Sequence, residues 1–220
     1  RQMCIRDRYH TKYDVDIAKA VRGKLLQESA IRALVQNIAS CDEVWVVSRG
    51  AGENLRSLGY EGDYIVMENG VDVPRGRVSD EAIAAATGRY DLPQNVPVFL
   101  FVGRLMWYKG IRIILDALKT LREKNVDFRM VFVGEGADGA EIRSYAEERK
   151  LSDRCFFTGA ISDREIIRAW YGRSDLFLFP STFDTNGLVV REAAASGTAT
   201  VMIRNSCASE GVGDGRNGFC

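Results

Sequence analysis

A single histidine, four prolines and no net charge distinguish this 220-residue sequence first by what is scarce. With His10 as its one imidazole, the chain has no histidine-rich metal centre and at most one imidazole base. The longest apolar run, roughly Val96 to Val102, is far short of the ~18 residues a membrane-spanning helix needs. The start is charged and lacks an apolar h-region, so no secretory signal is read there. Lysine plus arginine and aspartate plus glutamate both total 30, which removes any net field that would draw the chain onto nucleic acid. The five cysteines (Cys4, Cys41, Cys155, Cys207, Cys220) are odd in number and never two or three apart. That spacing indicates neither a disulfide framework nor a zinc site, and a reducing, cytoplasmic setting is expected.

What is present is an ordinary globular composition, 46% hydrophobic and 27% charged, in alternating helical and strand patterns. Apolar residues recur at helical spacing from Asp14 to about Ser40 (Ile17, Val21, Leu25, Ala30, Leu34, Ile38), and "DEVWVVS" then reads as a buried strand. "GAGENLRSLGY" predicts a short helix ending at Gly59, and "DYIVME" another strand. Val73 to Pro97 holds all but one of the prolines and reads as a linker, apart from the helical "DEAIAAATGRY". Five strands follow, "VFLFVG", "FRMVFVG", "CFFTG", "DLFLFPS" and "TATVMI", with helices between them. This alternation predicts an α/β fold with a doubly wound parallel sheet.

Ligands of such sheets bind beyond the carboxyl ends of the strands, where the informative residues fall. In "FVGRLMWYKG", Gly103 ends a strand and Arg104 and Lys109 follow, two cations suited to a diphosphate unless they are merely solvated loop residues. "VFVGEGADG" spells G-x-G-x-x-G at Gly134, Gly136 and Gly139. The next strand, "CFFTG", lacks the acidic residue that a dinucleotide fingerprint wants for ribose, which favours a tight turn lining another ligand.

In "FDTNGLVVREAAASG", Gly187 falls where a helix should begin, and the exposed amides there form an anion site. Glu192, within that helix, leans back toward its start, and Asp184 stands in the loop outside. Carboxylates there suit diols flanking a phosphate, or else Asp184 caps the helix and Glu192 is solvated. "DVD" at 14–16 matches a metal-binding D-x-D pattern but opens a helix, so helix-terminal charge is the better account.

The ordered set "SRGAGENLRSLGY…ENGVD", "FVGRLMWYKG", "VFVGEG", "FTG", "FPSTFDTNGLVVREAAASG" and "EGVGDGRNGF" resembles glycosyltransferase family 4, of GT-B fold with two Rossmann-like domains. The resemblance runs from about His10 to the end, and the family's E-x7-E pattern falls on Asp184 and Glu192. It implies that Glu192 holds the ribose of a nucleotide-sugar donor and Asp184 the donor sugar. Arg104 and Lys109, after Gly103, would grip the diphosphate, with Gly187, Leu188 and Val189 offering backbone N–H groups. The turn Gly134–Glu135–Gly136 would line the nucleotide pocket, and Gly159 to Ile161 would meet the base. A lone histidine near a chain end is ordinarily incidental, but the resemblance implies an active-site role for His10, in the place of the "HT" histidine of related transferases. The chain departs from the pattern at Asp184, where the family has glutamate, and at Asn186, where "TFG" is usual.

Residues 1–8 ("RQMCIRDR") resemble translated sequencing-adapter read-through and are expected to be foreign. Residues 9–72 then form the end of an acceptor domain, 73–96 a linker, and 97–220 most of a donor-binding domain, the chain being a fragment at both ends. The function implied is retaining, metal-independent transfer of a hexose from a nucleoside-diphosphate sugar to a saccharide, lipid or other hydroxyl acceptor, with no cofactor. A basic first helix (Lys12, Lys19, Arg22, Lys24, Arg32) is either a solvated face or a peripheral membrane contact at the inner face. The alternatives are a nucleotide-sugar epimerase of the same fold and a NAD-dependent oxidoreductase.

Overall fold

The computed structural model describes residues 6–220 and divides the chain into two units. One comprises the residues up to Gly70 with Phe183–Gly187 and Asn205–Glu210; the other comprises Val71–Thr182, Leu188–Arg204 and Gly211–Cys220. Residues 1–5, part of the segment expected to be foreign, and the side chains of Arg6, Asp7 and Lys19 lie outside the described residues.

The first unit contains β1 (Arg6–Tyr9), α1 (Tyr13–Ala20), α2 (Lys24–Ala39), β2 (Glu43–Val46), α3 (Arg49–Ser57) and β3 (Ile65–Val66). Its strands form a parallel sheet in the order β1-β2-β3. The single helix expected from Asp14 to Ser40 is broken in two. Val21 is extended and Gly23 has φ +101°, a conformation only glycine adopts freely, so the helical phase restarts at Lys24. The apolar stripe is reset with it. Val35 and Ile38 enter the core beside Tyr9, Val44, Val46 and Leu55, whereas Leu25, expected on the same face, is 78% exposed. Asp14 and Asp16 occupy the first turn of α1, where helix-terminal charge places them.

The second unit contains α4 (Asp80–Thr87), β4 (Val98–Val102), α5 (Ile111–Glu123), β5 (Arg129–Val133), α6 (Gly139–Glu148), β6 (Cys155–Gly159), α7 (Arg164–Arg173), β7 (Leu176–Phe179), α8 (Leu188–Ala195), β8 (Ala199–Met202) and β9 (Gly218–Phe219). All its strand pairs are parallel, in the order β6-β5-β4-β7-β8-β9. Residues of β4 and β5 are almost all buried, which is why both read as unbroken apolar runs. On α5, Ile111, Ile114, Leu115 and Leu118 recur at i, i+3, i+4 and i+7 and bury against Phe101, Met130 and Phe132 of the sheet. The segment 73–96 belongs to this unit and folds around α4, which is capped by Ser79 and packs on α7.

Candidate functional site

The strand order sets the place. From β4 the chain moves outward to β5 and β6, then returns to the other side of β4 with β7. The loops after β4 and β7 therefore diverge, leaving a crevice at the carboxyl ends of the two strands. Gly103 to Gly110 leaves one strand there and Pro180 follows the other. Gly110, at φ +79°, lies so close to the Pro180 carbonyl that an added Cβ would come within 2.4 Å of that oxygen.

Three loop ends are stitched into one rim by backbone hydrogen bonds. Gly103 N donates to Val133 O, Leu105 N to Glu135 O, Asp138 N to Leu105 O and Gly134 N to Gly159 O, at 3.0, 3.0, 3.2 and 2.9 Å. The glycines permit this approach: a Cβ at Gly134 would fall 2.0 Å from Gly103 O, and one at Gly136 would fall 2.3 Å from Leu105 O. At Gly139 an added Cβ would meet nothing closer than Leu105 Cδ1 at 3.7 Å. The first two glycines serve loop-on-loop packing, and the third is not required by close helix–strand contact as a dinucleotide fingerprint would demand. The structure thus brings Gly103, Gly134, Glu135, Gly136 and Gly159 together, with the exposed Glu135 reaching toward Gly159. Ile161 follows β6 at the same strand ends, half-buried.

Arg104 and Lys109 meet on one residue that the sequence reading passed over. Arg104 Nη2 donates to Tyr108 Oη at 2.7 Å, and Lys109 Nζ lies 5.5 Å from the Tyr108 ring centre and 5.9 Å from that of Phe179. Tyr108 holds both cations beside the mouth of β7. Its one signal in the sequence is its place four residues after Arg104.

Helix α8 begins at Leu188, directly after Gly187 at φ +61°. The first amides of a helix have no partner within it, so Leu188 and Val189 present N–H groups at this start. Glu192 lies one turn on and is tied to α7: the Tyr171 hydroxyl is 3.3 Å from Glu192 Oε2 and 3.2 Å from Val189 O. Burial above all, and then the Glu192 carboxylate, hold the Tyr171 hydroxyl far above its ordinary pKa, so it remains a donor. Nothing in the sequence pairs Tyr171 with Glu192, since they lie on different helices.

The residues just before α8 belong to the first unit, where they close over the ends of β1 and β2. Thr185 Oγ1 donates to His10 O, Ser48 Oγ donates to Thr185 O, and Asn186 Nδ2 donates to Val47 O, each at 2.6 Å. His10 and the loop carrying Asp184 are thus joined through Thr185. His10 itself is exposed, its Nδ1 3.0 Å from Arg8 O, and Asp184 is half-buried. Asn186 is 7% exposed, so its amide is a structural tie that a phenylalanine at this position would lack. Nearby, Glu210 accepts hydrogen bonds from Arg49 N and Gly50 N at the start of α3, at 2.9 and 2.6 Å.

The parallel-sheet α/β units match part of the GT-B fold of solved structures. HepE from Anabaena in complex with UDP superposes with a TM-score of 0.80 at 22% identity, over 97% of this chain and 57% of that one. Sucrose-phosphate synthase from Thermosynechococcus elongatus gives 0.77 at 25% identity, over 97% and 53%. The chain belongs to the family of glycosyl transferases group 1, whose pattern it matches over residues 84–220. Among its relatives, alpha-monoglucosyldiacylglycerol synthase of Streptococcus pneumoniae is 23% identical over 90% of this chain and 45% of its own length. D-inositol 3-phosphate glycosyltransferase of Streptomyces avermitilis is 29% identical over 96% and 47%. The chain spans less than half the length of these curated relatives.

Proposed function

We propose that this chain is part of a retaining glycosyltransferase that moves a hexose from a nucleoside-diphosphate sugar to an acceptor hydroxyl. The observation that carries the reading is the stitched rim at the ends of β4, β5 and β6, with Arg104 and Lys109 gathered on Tyr108 beside it. Arg104 grips diphosphate oxygens with a planar fork and Lys109 adds a point charge, while the amides of Gly187, Leu188 and Val189 donate to the same anion. These groups stabilise the departing nucleoside diphosphate electrostatically, so neither a metal nor a cofactor is invoked. Glu192, steadied by Tyr171, takes the ribose hydroxyls; Asp184 takes those of the sugar; His10 acts near the reacting centre. The turn Gly134–Glu135–Gly136 and the segment Gly159 to Ile161 line the nucleotide pocket. The acceptor hydroxyl attacks on the face that the diphosphate leaves.

We place the reaction in cell-surface glycan or glycolipid synthesis, with a lipid, saccharide or other hydroxyl acceptor, on the cytoplasmic side of a membrane; the name of the alpha-monoglucosyldiacylglycerol synthase supports the glycolipid part alone. At the start of α2, Lys24 precedes Leu25 and Leu26, 78% and 63% exposed, which supports peripheral contact with an anionic membrane.

The test is calorimetric titration with UDP, GDP and NADH. Binding of UDP or GDP that weakens about tenfold or more in Lys109→Ala or Glu192→Ala is expected, because each removes hydrogen bonds involving a charged group. Tight NADH binding with neither nucleotide bound would sink the reading. In the complete protein, nucleoside diphosphate release that depends on acceptor separates transfer from epimerisation. An inverted anomeric centre in the product excludes retention.

A further inference from the structure

A second polar cavity lies at the opposite edge of the larger sheet. It has a volume of about 770 Å³ and is enclosed by α4, the turn from α7 into β7 and the turn from α8 into β8. Ser174 and Asp175 precede β7 and Thr198 precedes β8, so this cavity faces the amino ends of the strands, away from the crevice of Arg104 and Lys109. Ile83, Ala84 and Leu92 give it an apolar wall.

Two guanidinium groups line it, Arg77 and Arg173. Arg173 Nη2 is fixed by the carbonyl oxygens of Leu92 and Pro93, at 2.8 and 3.0 Å. Burial lowers the pKa of Arg173; the pull of Asp175 opposes that shift and is larger than the repulsion from Arg77. Two carboxylates, Asp80 and Asp175, line the cavity with them. Asp80 pairs with Arg77 at 3.4 Å with its own side chain 88% exposed, and Asp175 is occupied by Val98 N at 2.8 Å.

The hydroxyls of the lining are satisfied with one exception. Thr87 donates to Ile83 O, Ser174 to Trp170 O and Thr198 to Tyr171 O, each across less than 3 Å. Ser196 is 3% exposed, yet its Oγ has no hydrogen-bond partner. A buried hydroxyl without a partner is destabilising, and Ser196 stands in the cavity wall with its Oγ beneath the surface, where a turn of the side chain presents it to a ligand.

We infer that this cavity is a binding site for a small phosphorylated sugar or polyol, its phosphate held by Arg77 and Arg173 and its hydroxyls by Ser196 and Gln94. Paired guanidiniums suit a phosphate, which takes parallel N–H bonds from their planar forks. The volume falls in the range of small-molecule pockets and exceeds what a bare phosphate fills. A ligand there rests on α4 and on the turn leaving α8, the helix that carries Glu192.

The site is tested by calorimetric titration of the chain with glucose 6-phosphate, with glucose as the uncharged control. Saturable binding of glucose 6-phosphate is expected. It should weaken about tenfold in Arg77→Gln and about fivefold in Ser196→Ala, as loss of hydrogen bonds to a phosphate predicts. It should be unchanged in Lys109→Ala, which separates this cavity from the diphosphate site. Arg77 is exposed, so Arg77→Gln keeps the fold and leaves the test readable even if Ser196→Ala is unstable. No binding, equal binding of glucose, or binding lost in Lys109→Ala but retained in Arg77→Gln overturns the proposal. The measurement needs no turnover, so its failure is distinct from failure of the transferase reading.

Discussion

Tyr171 and Glu192 stand on adjacent helices with hydroxyl and carboxylate oxygens 3.3 Å apart, and the tyrosine is 1% exposed. A buried donor beside a carboxylate restricts where that carboxylate points. In Tyr171→Phe the ring is retained and only the hydroxyl is lost, at a cost of about 1 kcal/mol. The expected outcome is a native circular dichroism spectrum with UDP or GDP bound about three- to tenfold more weakly. Unaltered nucleotide affinity would show that Tyr171 does not position Glu192.

Asn186 fills the place where the family resemblance expects phenylalanine, and its amide satisfies the buried Val47 carbonyl. Asn186→Ala leaves that oxygen unpaired and is expected to destabilise the chain by about 1–3 kcal/mol. Asn186→Phe adds overpacking to the same loss and should be worse. Urea denaturation of the three proteins measures the order; a phenylalanine variant as stable as the parent would contradict the structural role.

The three glycines of "GEGADG" should respond unequally. Gly134→Ala forces a methyl against Gly103 O at a positive φ, and about 3 kcal/mol or failure to fold is expected. Gly139→Ala, at the first residue of α6 where a methyl makes only ordinary contact with Leu105, should gain about 0.5 kcal/mol through the unfolded chain. Thermal melts decide this, and equal losses at both positions would refute the loop-packing account.

Alkali should unfold the protein through its buried acids. Burial pushes the Cys155 thiol from 9.0 up to about 12. A raised folded pKa means the stabilisation is complete below about pH 9 and is lost as pH climbs toward 12, at about 1.4 kcal/mol per pH unit. The buried Tyr9 and Tyr171 hydroxyls, also raised, extend the decline. Urea melts from pH 8 to 11 measure the slope, which Cys155→Val should flatten. The same burial predicts that Cys155 resists iodoacetamide at pH 8 while the protein is folded.

Where local pattern dictates structure, the sequence was a good guide. The five strands from "VFLFV" to "ATVM" and the helices between them were readable because each is an apolar run or a 3.6-residue stripe ended by glycine or a cap. The break at Gly23 was hidden, since the apolar spacing continues across it and only the left-handed φ reveals the stop. Strand β9, two residues long, carries no pattern of its own and exists by pairing with β8. Among candidate site residues, the glycines and cations at strand ends were visible from chain position alone. Tyr171 against Glu192 and Thr185 against His10 were not, because no spacing rule links residues 21 and 175 positions apart.

The first unit is discontinuous, and that has a consequence for how it is made. Its Val47 carbonyl, Ser48 hydroxyl and Arg49 and Gly50 amides find their partners in Thr185, Asn186 and Glu210. A chain emerging from the ribosome has finished all of β1, β2 and β3 long before those residues appear. The residues up to Gly70 must therefore wait with open ends while four strands of the other unit are synthesised ahead of Thr185 and Asn186, and a fifth ahead of Glu210. Cutting the gene after Gly70 would release a segment with its own sheet and none of its closing ties.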